Sequence, residues 1–301
     1  MTRLTGIHAG EGSSSVLQIV LAVLLLPFSL LGLLLRPLEW LLKVVFSPVE
    51  RLLPAGLRGD EGLVGTVKTM VYAVIIALAV RTFAYEPFNI PSGSMKPTLL
   101  VGDYLFVSKF SYGYSDYSLG FGTDLGLLDE RLFEGEPERG DVIVFRQPTD
   151  TSVDFIKRLV GLPGDRIRMI NGVLHVNGQA VSLEGDSVFE DRSCSSSRAI
   201  ERQTETLPNG VRHSVLNITD SGRLDNTPEY VVPQDHYFMM GDNRDSSNDS
   251  RVTHVVGFVP RENLIGRAEF LFFSTDGCGS LINPLSWPES IRWDRLFRSI
   301  S

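Results

Sequence analysis

An uncharged apolar run at residues 16–35 constrains this chain more than any other feature of its sequence. The run reads VLQIVLAVLLLPFSLLGLLL, and about 20 helical residues at a rise of ~1.5 Å each span the ~30 Å hydrocarbon core of a bilayer. Arg36, Pro37 and Leu38 follow it, in place of the small residues that mark a signal cleavage site. We therefore predict a transmembrane helix over 16–35, bent at Pro27.

A second apolar stretch, at residues 63–80, predicts a second transmembrane helix over 63–82, with a buried core helix as the alternative. The tail at 1–15 has Arg3 as its single Lys or Arg residue. The loop at 36–62 and the first turn after it carry five positive charges: Arg36, Lys43, Arg51, Arg58 and Lys68. The positive-inside rule then places the loop in the cytoplasm and both termini on the outer side of the membrane.

Charge and cysteine content narrow the classes of partner. The 301-residue chain has a net charge of −8 and no cluster of Lys and Arg, whereas a nucleic-acid-binding surface needs one. Cys194 and Cys278 fit no zinc spacing, and no H-E-x-x-H or C-x-x-C pattern occurs, so we predict no metal site. The two cysteines could form a disulfide in an oxidising compartment, and the sequence leaves their pairing open.

Short apolar or alternating runs separated by turn residues predict a β-rich domain over 83–275. Asn171-Gly172 marks the clearest hairpin, because a type I′ turn needs positive φ at both central positions. A polar segment at 183–232 predicts an inserted surface subdomain, and 276–301 predicts an amphipathic tail that packs on the core or touches the bilayer. Strands are predicted at 103–109, 141–147, 153–161, 236–242, 252–260 and 268–274.

The stretch NIPSGSMKPTLLVGDYL, residues 89–105, places two serines around a glycine soon after an apolar helix. A serine nucleophile needs a base, and no histidine of the chain lies in a recognisable triad pattern. In DFIKRLVGLPGD, strand alternation puts Lys157 on one face with Phe155 and Leu159, where burial disfavours the ammonium form. A neutral Lys157 amine could take the proton of Ser94, and an exposed lysine beside Arg158 is the alternative.

The segment GDNRDSSNDSR, residues 241–251, is dense in Asp, Asn, Ser and Arg directly after an apolar strand. An EF-hand beginning at Asp242 would place Arg244 at a ligand position and would lack the glycine of the sixth position, so calcium is excluded. Two interpretations stay open. The segment is either a solvated loop or a hydrogen-bonded network that orients catalytic groups.

Taken in order, an apolar start, PSGSMKPTL, RGDVIVFRQP, FIKRLVGLPGD and GDNRDSSNDSR resemble the bacterial type I signal peptidases, also called leader peptidases. The resemblance extends from the second apolar stretch to about Phe273, and leaves 183–232 and the extreme tail unmatched. It implies a mainly β fold, the serine-lysine β-sheet fold of that family, with N-terminal transmembrane helices.

The resemblance also implies a role for each matched residue. Ser94 is expected to be the nucleophile and Lys157 the general base, with Ser92 and the backbone N–H of Ser94 as the oxyanion hole. Support for the lysine and for the site is implied for Ser247, Asp249 and Arg251. An apolar lining for small substrate side chains is implied for Phe88, Ile90, Met95, Val144 and Ile156.

These expectations describe a membrane-bound serine endopeptidase that removes N-terminal signal peptides from exported preproteins without a cofactor. The implied partners are those signal peptides, the lipid bilayer and the secretion translocon, with no nucleic acid. The implied location is the bacterial cytoplasmic (inner) membrane, crossed more than once, with the catalytic domain on the outer, periplasmic side. Two alternatives stay open: a specialised relative that processes one dedicated substrate, and a non-catalytic, membrane-anchored module that binds peptides.

Overall fold

The computed structural model describes residues 63–119, 128, 131–192, 194, 197–219, 221–279 and 287–300. The predicted tail at 1–15, transmembrane helix at 16–35 and loop at 36–62 lie outside the described residues. The chain divides into two compact units, residues 1–76 and residues 77–301.

Helix α1 (Leu63–Phe83) occupies the second apolar stretch. Its segment Gly65–Phe83 has a mean hydropathy of 1.6 and is, among the described residues, the one helix long and apolar enough to cross a membrane. Arg81 lies in the last turn, where a positive charge interacts favourably with the helix dipole. The chain then passes into the first strand within two residues of the helix end.

The rest of the described chain is mainly β. In chain order the strands are β1 (Tyr85–Asn89), β2 (Asp103–Ser108), β3 (Val142–Gln147), β4 (Asp150–Gly161), β5 (Arg166–Ile170), β6 (Val173–Val176), β7 (Gln179–Ala180), β8 (Ser182–Arg192), β9 (Ser197–Thr206), β10 (Arg212–Leu216), β11 (Tyr230–Val231), β12 (His236–Met240), β13 (Val259–Pro260) and β14 (Leu264–Ser274). The remaining described elements are the short helices α2 (Asp116–Leu119) and α3 (Trp287–Ser290), and 3₁₀ turns at Arg244–Ser246, Arg261–Asn263 and Trp293–Arg295.

A seven-stranded antiparallel sheet, in the order β1-β2-β14-β3-β4-β12-β13, forms the centre of the fold. The predicted mainly β fold class is confirmed. Val142 and Val144 of β3 belong to one apolar cluster, and Ile143 and Phe145, which alternate with them, belong to another. This alternation follows from the two-residue period of a strand. Because apolar clusters cover both faces, the sheet is a rigid base for the segments that leave its strand ends.

Two smaller sheets accompany the central one: β10-β9-β8, and β11-β5-β6-β7. The β5–β6 turn at Asn171-Gly172 has φ values of 49° and 77°, which confirms the predicted positive-φ hairpin. Cys194 and Cys278, whose pairing the sequence leaves open, form a disulfide with a Cα–Cα distance of 5.4 Å. The disulfide joins the end of the β8–β9 hairpin to the segment that follows β14.

The strand predicted at 252–260 is wrong over most of its length, since strand pairing in this segment is confined to Val259–Pro260. The Val252 N–H donates to Asp249 O (2.8 Å) and the Val256 N–H donates to Val252 O (3.0 Å), so the backbone turns. Val252 and Val256 are buried all the same, because a turn can bury valines four positions apart without a ladder.

The C-terminal segment 287–300 packs on the central sheet. The Phe297 N–H donates to Leu271 O (2.8 Å) and the Ile300 N–H donates to Glu269 O (2.9 Å), both in β14. Arg295 adds a buried ion pair to Asp103, at 2.5 Å. The tail was predicted either to pack on the core or to touch the bilayer, and residues 287–300 pack on the core.

Candidate active site

The segment after β1 turns back into the molecule at residues 91–100 and carries both predicted serines. Met95 and Leu99 of this turn are fully buried in the core and anchor it. A cleft of about 540 Å³ opens beside the turn. Its walls are Phe88, Asn89, Ile90, Pro91, Ser92, Gly93, Ser94, Val144, Asp154, Phe155, Ile156, Lys157, Ser246 and Asn248.

Ser94 and Lys157 meet at the floor of this cleft. The Lys157 amine lies 2.8 Å from Ser94 Oγ, although 63 positions separate the two residues along the chain. Ser94 is 8% exposed and Lys157 is 3% exposed, so bulk water has little access to the contact. Strand β4 presents the lysine here because its pairing with β3 sets Lys157 opposite Ile143 in the central sheet.

The surroundings of Lys157 favour its neutral form. The amine donates to Ile156 O (2.8 Å) and lies 5.1 Å from the centre of the Phe155 ring. Burial lowers the pKa of Lys157 from 10.5 to about 8, against the opposing charges of Asp249 and Asp242. Within the described part of the chain, no carboxylate is hydrogen-bonded to the amine. At pH 7 roughly a tenth of Lys157 is therefore unprotonated, far more than for a lysine with its ordinary pKa.

Ser92 lies next to the nucleophile position. Ser92 Oγ is 3.4 Å from Ser94 Oγ across the intervening Gly93. The backbone of the turn is held by Asn243, whose N–H donates to Ser94 O (3.0 Å) and whose side-chain amide donates to Gly93 O (3.0 Å). The hydroxyl of Ser92 and the N–H of Ser94 can thus face one developing oxyanion.

The segment 241–251 is a buried network and not a solvated loop. Asp249 accepts from Arg251 through both carboxylate oxygens (2.9 and 2.8 Å) and from the Gly241 N–H (3.0 Å). Burial opposes ionisation of Asp249, but the Arg251 charge and these hydrogen bonds lower its pKa. At Gly241 an added Cβ would lie 2.2 Å from Ser247 Oγ and 2.6 Å from Ser94 O. Only glycine allows this close approach to the nucleophile turn.

The predicted supporting and lining residues are only partly brought together. Phe88, Ile90, Val144 and Ile156 line the cleft, while Met95 is fully buried in the core and is not among the cleft-lining residues. Asp249 and Arg251 pair as expected. Ser247 is buried beside the site, yet among the described residues the hydrogen-bond partners of the Lys157 amine are Ser94 and the Ile156 carbonyl.

Comparison with known proteins places this site in a family. The family model described as "Signal peptidase, peptidase S26" matches residues 63–273. The chain belongs to this signal peptidase family, peptidase S26. The four sequence motifs and the Ser94–Lys157 contact all lie within the matched range.

Curated relatives agree with the S26 match. The chain is 43% identical over 250 residues to "Signal peptidase I" of Rickettsia canadensis, covering 77% of this chain and 92% of the relative. It is 43% identical over 249 residues to "Signal peptidase I" of Rickettsia typhi, with the same two coverages. A crystal structure of a signal peptidase I from Enterococcus faecalis V583 matches at 27% identity, covering 44% of this chain and 96% of that one, with a TM-score of 0.26. A TM-score of 0.26 is too low to establish a shared fold, so the assignment of this chain to the family rests on the sequence matches.

A second cluster of buried charged residues contains ion pairs that the sequence did not predict. Arg158 binds Asp242 through two hydrogen bonds of 2.9 Å, and Arg244 binds Glu205 at 2.7 and 2.6 Å. Burial opposes ionisation of Glu205, but Arg244 and His213 together lower its pKa to about 2. Asp242 and Arg244 lie in the motif GDNRDSSNDSR, whose density of charged residues could have indicated buried ion pairs. Glu205 lies in the segment 183–232, which matches no motif, so the sequence around it gives no such indication.

Proposed function

We propose that this chain is a membrane-bound signal peptidase I that cleaves N-terminal signal peptides from exported preproteins, with Ser94 as nucleophile and Lys157 as general base. The observation that carries the proposal is the 2.8 Å separation of the Lys157 amine from Ser94 Oγ in a water-poor cleft. An amine whose pKa is near 8 can accept a serine proton at neutral pH, whereas an ordinary lysine with a pKa near 10.5 cannot do so efficiently.

Acylation begins when the neutral Lys157 amine takes the Ser94 hydroxyl proton and Oγ attacks the scissile carbonyl carbon. The resulting oxyanion accepts hydrogen bonds from the Ser92 hydroxyl and the Ser94 N–H, and one such donor contributes about 3 to 4 kcal/mol to a transition state of this type. The tetrahedral intermediate collapses as the Lys157 ammonium returns its proton to the leaving amine. Water then attacks the acyl ester as Lys157 accepts its proton, and the bond from the acyl carbon to Ser94 Oγ breaks while Lys157 returns the proton to Oγ, which releases the carboxylic acid and restores the enzyme.

The cleft explains a preference for small side chains before the cut. Phe88, Ile90, Val144 and Ile156 narrow it with apolar groups, so a larger substrate side chain would overlap them. We expect the substrate to bind as an extended strand, because only an extended backbone exposes its carbonyl to Ser94.

Helix α1 supports attachment to the cytoplasmic membrane, and the charge bias of the preceding loop supports a position of the domain after α1 on the outer side. The second crossing, over 16–35, lies outside the described residues and is proposed from the sequence alone. The substrate would then share a bilayer with the enzyme, which raises their effective concentration. Protease added outside intact spheroplasts should digest the domain after residue 85. Protection of that domain would overturn the topology and leave the catalytic proposal standing.

The catalytic proposal is tested with Ser94→Ala in the full chain, reconstituted in lipid. Cleavage of a preprotein should fall by about 10⁴-fold or more, since the attacking atom is removed. Ser182→Ala, an exposed serine on β8, is the matched control and should cleave normally. Wild-type protein that binds signal peptides without cleaving them would favour the non-catalytic module. Depletion in cells that leaves a single precursor uncleaved would favour the dedicated relative.

A further inference from the structure

The turn that carries the nucleophile is held on one side by the loop of residues 241–251. Asn243 provides both bonds, one to the carbonyl of Ser94 and one to the carbonyl of Gly93. These bonds fix the turn along its backbone. Gly93 also packs against the side chain of Lys96, and that side chain is held by a residue of the β8–β9 hairpin.

That support comes from Lys96 and Asp191. Lys96 Nζ lies 2.5 Å from Asp191 Oδ1, near the end of β8. The lysine stem runs along Gly93, where an added Cβ would lie 3.2 Å from Lys96 Cε and 3.3 Å from Cδ. Gly93 separates Ser92 from Ser94, so the stem contacts the turn between the oxyanion donor and the nucleophile. The ion pair with Asp191 fixes the position of the Lys96 ammonium at the end of that stem.

Asp191 is itself held at two points. Strand β8 pairs with β9, where Asp191 lies opposite Arg198. Three residues further along, Cys194 is joined by the disulfide to Cys278, beyond the end of the central strand β14. The ladder therefore fixes Asp191 within the hairpin, and the disulfide ties the end of the hairpin to the segment that follows the central sheet.

We propose that Lys96 and Asp191 are positioning residues for peptide cleavage, which hold the Ser92–Ser94 turn in its reactive geometry from the side of the inserted hairpin. The inference rests on the proposed function, because it concerns the rate of the reaction at Ser94. Neither residue is among the described residues that line the cleft at Ser94; both line a neighbouring cleft on the side of the hairpin.

Two physical arguments predict which kinetic constant responds. A displacement of about 1 Å at reacting atoms can cost roughly 10²-fold in rate, whereas substrate binding depends on the cleft walls. An ion pair whose side chains are 16% and 28% exposed adds little to folding stability. Loss of the pair should therefore lower kcat while KM and the melting temperature stay nearly constant.

The test uses Lys96→Met, which keeps most of the stem and removes the charge, and Asp191→Asn. Each should lower kcat by about tenfold with KM within about twofold. The double variant should be no worse than either single variant, since both remove one interaction. Asp191→Glu, which restores the carboxylate, should recover most of kcat.

Glu190→Gln is the matched control, because it removes the neighbouring carboxylate, which pairs with the exposed Arg192 instead of the turn. Its kcat should equal that of wild type. The inference is overturned if Asp191→Asn behaves like Glu190→Gln, or if the losses of the two single variants multiply in the double variant. Wild-type protein without cleavage would remove the proposed function and this inference together, whereas full activity in Asp191→Asn removes the inference alone.

The disulfide gives an independent check. Replacing Cys194 and Cys278 with serine should lower kcat when Asp191 is present, because the hairpin end is then less firmly placed. The same replacement in the Asp191→Asn background should have no further effect on kcat. A loss of equal size in both backgrounds would show that the disulfide acts by another route and would contradict the proposed coupling.

Discussion

Among the described residues, two lysines are almost fully buried, and their surroundings differ in kind. Lys109, at the end of β2, is 2% exposed and lies 2.8 Å from the carboxylate of Glu86. Lys157, in β4, is 3% exposed, and its hydrogen bonds go to a serine hydroxyl and a backbone carbonyl. The first lysine has a counter-charge in contact, and the second does not.

The difference bears on what each lysine can do. A buried lysine that keeps a carboxylate partner ties two segments of the chain together. A buried ammonium without such a partner loses solvation that nothing replaces, so its pKa falls and the neutral amine becomes available as a base. Burial alone therefore does not distinguish the two lysines, whereas the lack of a carboxylate hydrogen-bonded to the amine, among the described residues, sets Lys157 apart.

The largest expected contrast is in cleavage activity. Lys157→Met should lower kcat/KM for a preprotein by about 10⁴-fold, because the proton acceptor is lost while the shape of the side chain is kept. Lys109→Met, the matched replacement of the other buried lysine, should stay within about threefold of wild type. An equal fall of kcat/KM in the two variants would contradict the proposed difference between Lys157 and Lys109.

The pH dependence should be carried by Lys157 alone. Since the neutral amine is the active form, kcat/KM should rise about tenfold per pH unit on the acid side and level off above about pH 8, the pKa of Lys157. Lys109→Met should keep the same profile. An acid limb that moves in Lys109→Met would show that the titrating group lies elsewhere.

Stability gives a smaller contrast, of opposite sign in the two variants. The folded-state pKa of Lys157, about 8, lies below its ordinary value of 10.5, so the unfolded chain binds more protons between these values and stability rises with pH across that window. Below pH 8 the folded protein bears the whole cost, roughly 3 kcal/mol at about 1.4 kcal/mol per pH unit.

Lys157→Met removes that cost and should raise the free energy of unfolding at pH 7 by roughly 3 kcal/mol, with the gain disappearing as the pH approaches 10.5. Lys109→Met should lower the free energy of unfolding by about 1 to 2 kcal/mol, because Glu86 keeps Arg81 as a partner. Urea unfolding at pH 7 and pH 10 measures both. Destabilisation by Lys157→Met at pH 7 would contradict the account.

Local chemistry explains what the sequence could predict. The turn at Asn171-Gly172 was predictable because positive φ is a property of those two residues. The mainly β fold followed from short apolar runs with a two-residue period. The strand predicted at 252–260 is wrong because a short valine-rich run is equally consistent with a buried turn, and the hydrogen bond to Asp249 that closes the turn cannot be read from the sequence pattern.

Contacts between distant residues explain what could not be predicted. Asp191 meets Lys96 across 95 positions, and Glu205 meets Arg244 across 39. Both acidic residues lie in the segment that matched no motif. The roles assigned to Ser94 and Lys157 came from the order of the motifs, since neither segment by itself indicates that the other is near. The family resemblance implied that Met95 lines the cleft, yet its side chain is buried in the core.

The most direct test of the central claim is the titration of the Lys157 amine itself. In protein labelled with ¹⁵N-lysine, the Nζ resonance that disappears in Lys157→Met identifies the group, and its chemical shift is followed with pH. The account predicts a midpoint near pH 8, and therefore an amine that is partly neutral at pH 7. A midpoint above pH 10 would mean a lysine that stays charged beside Ser94, and would contradict its role as the base.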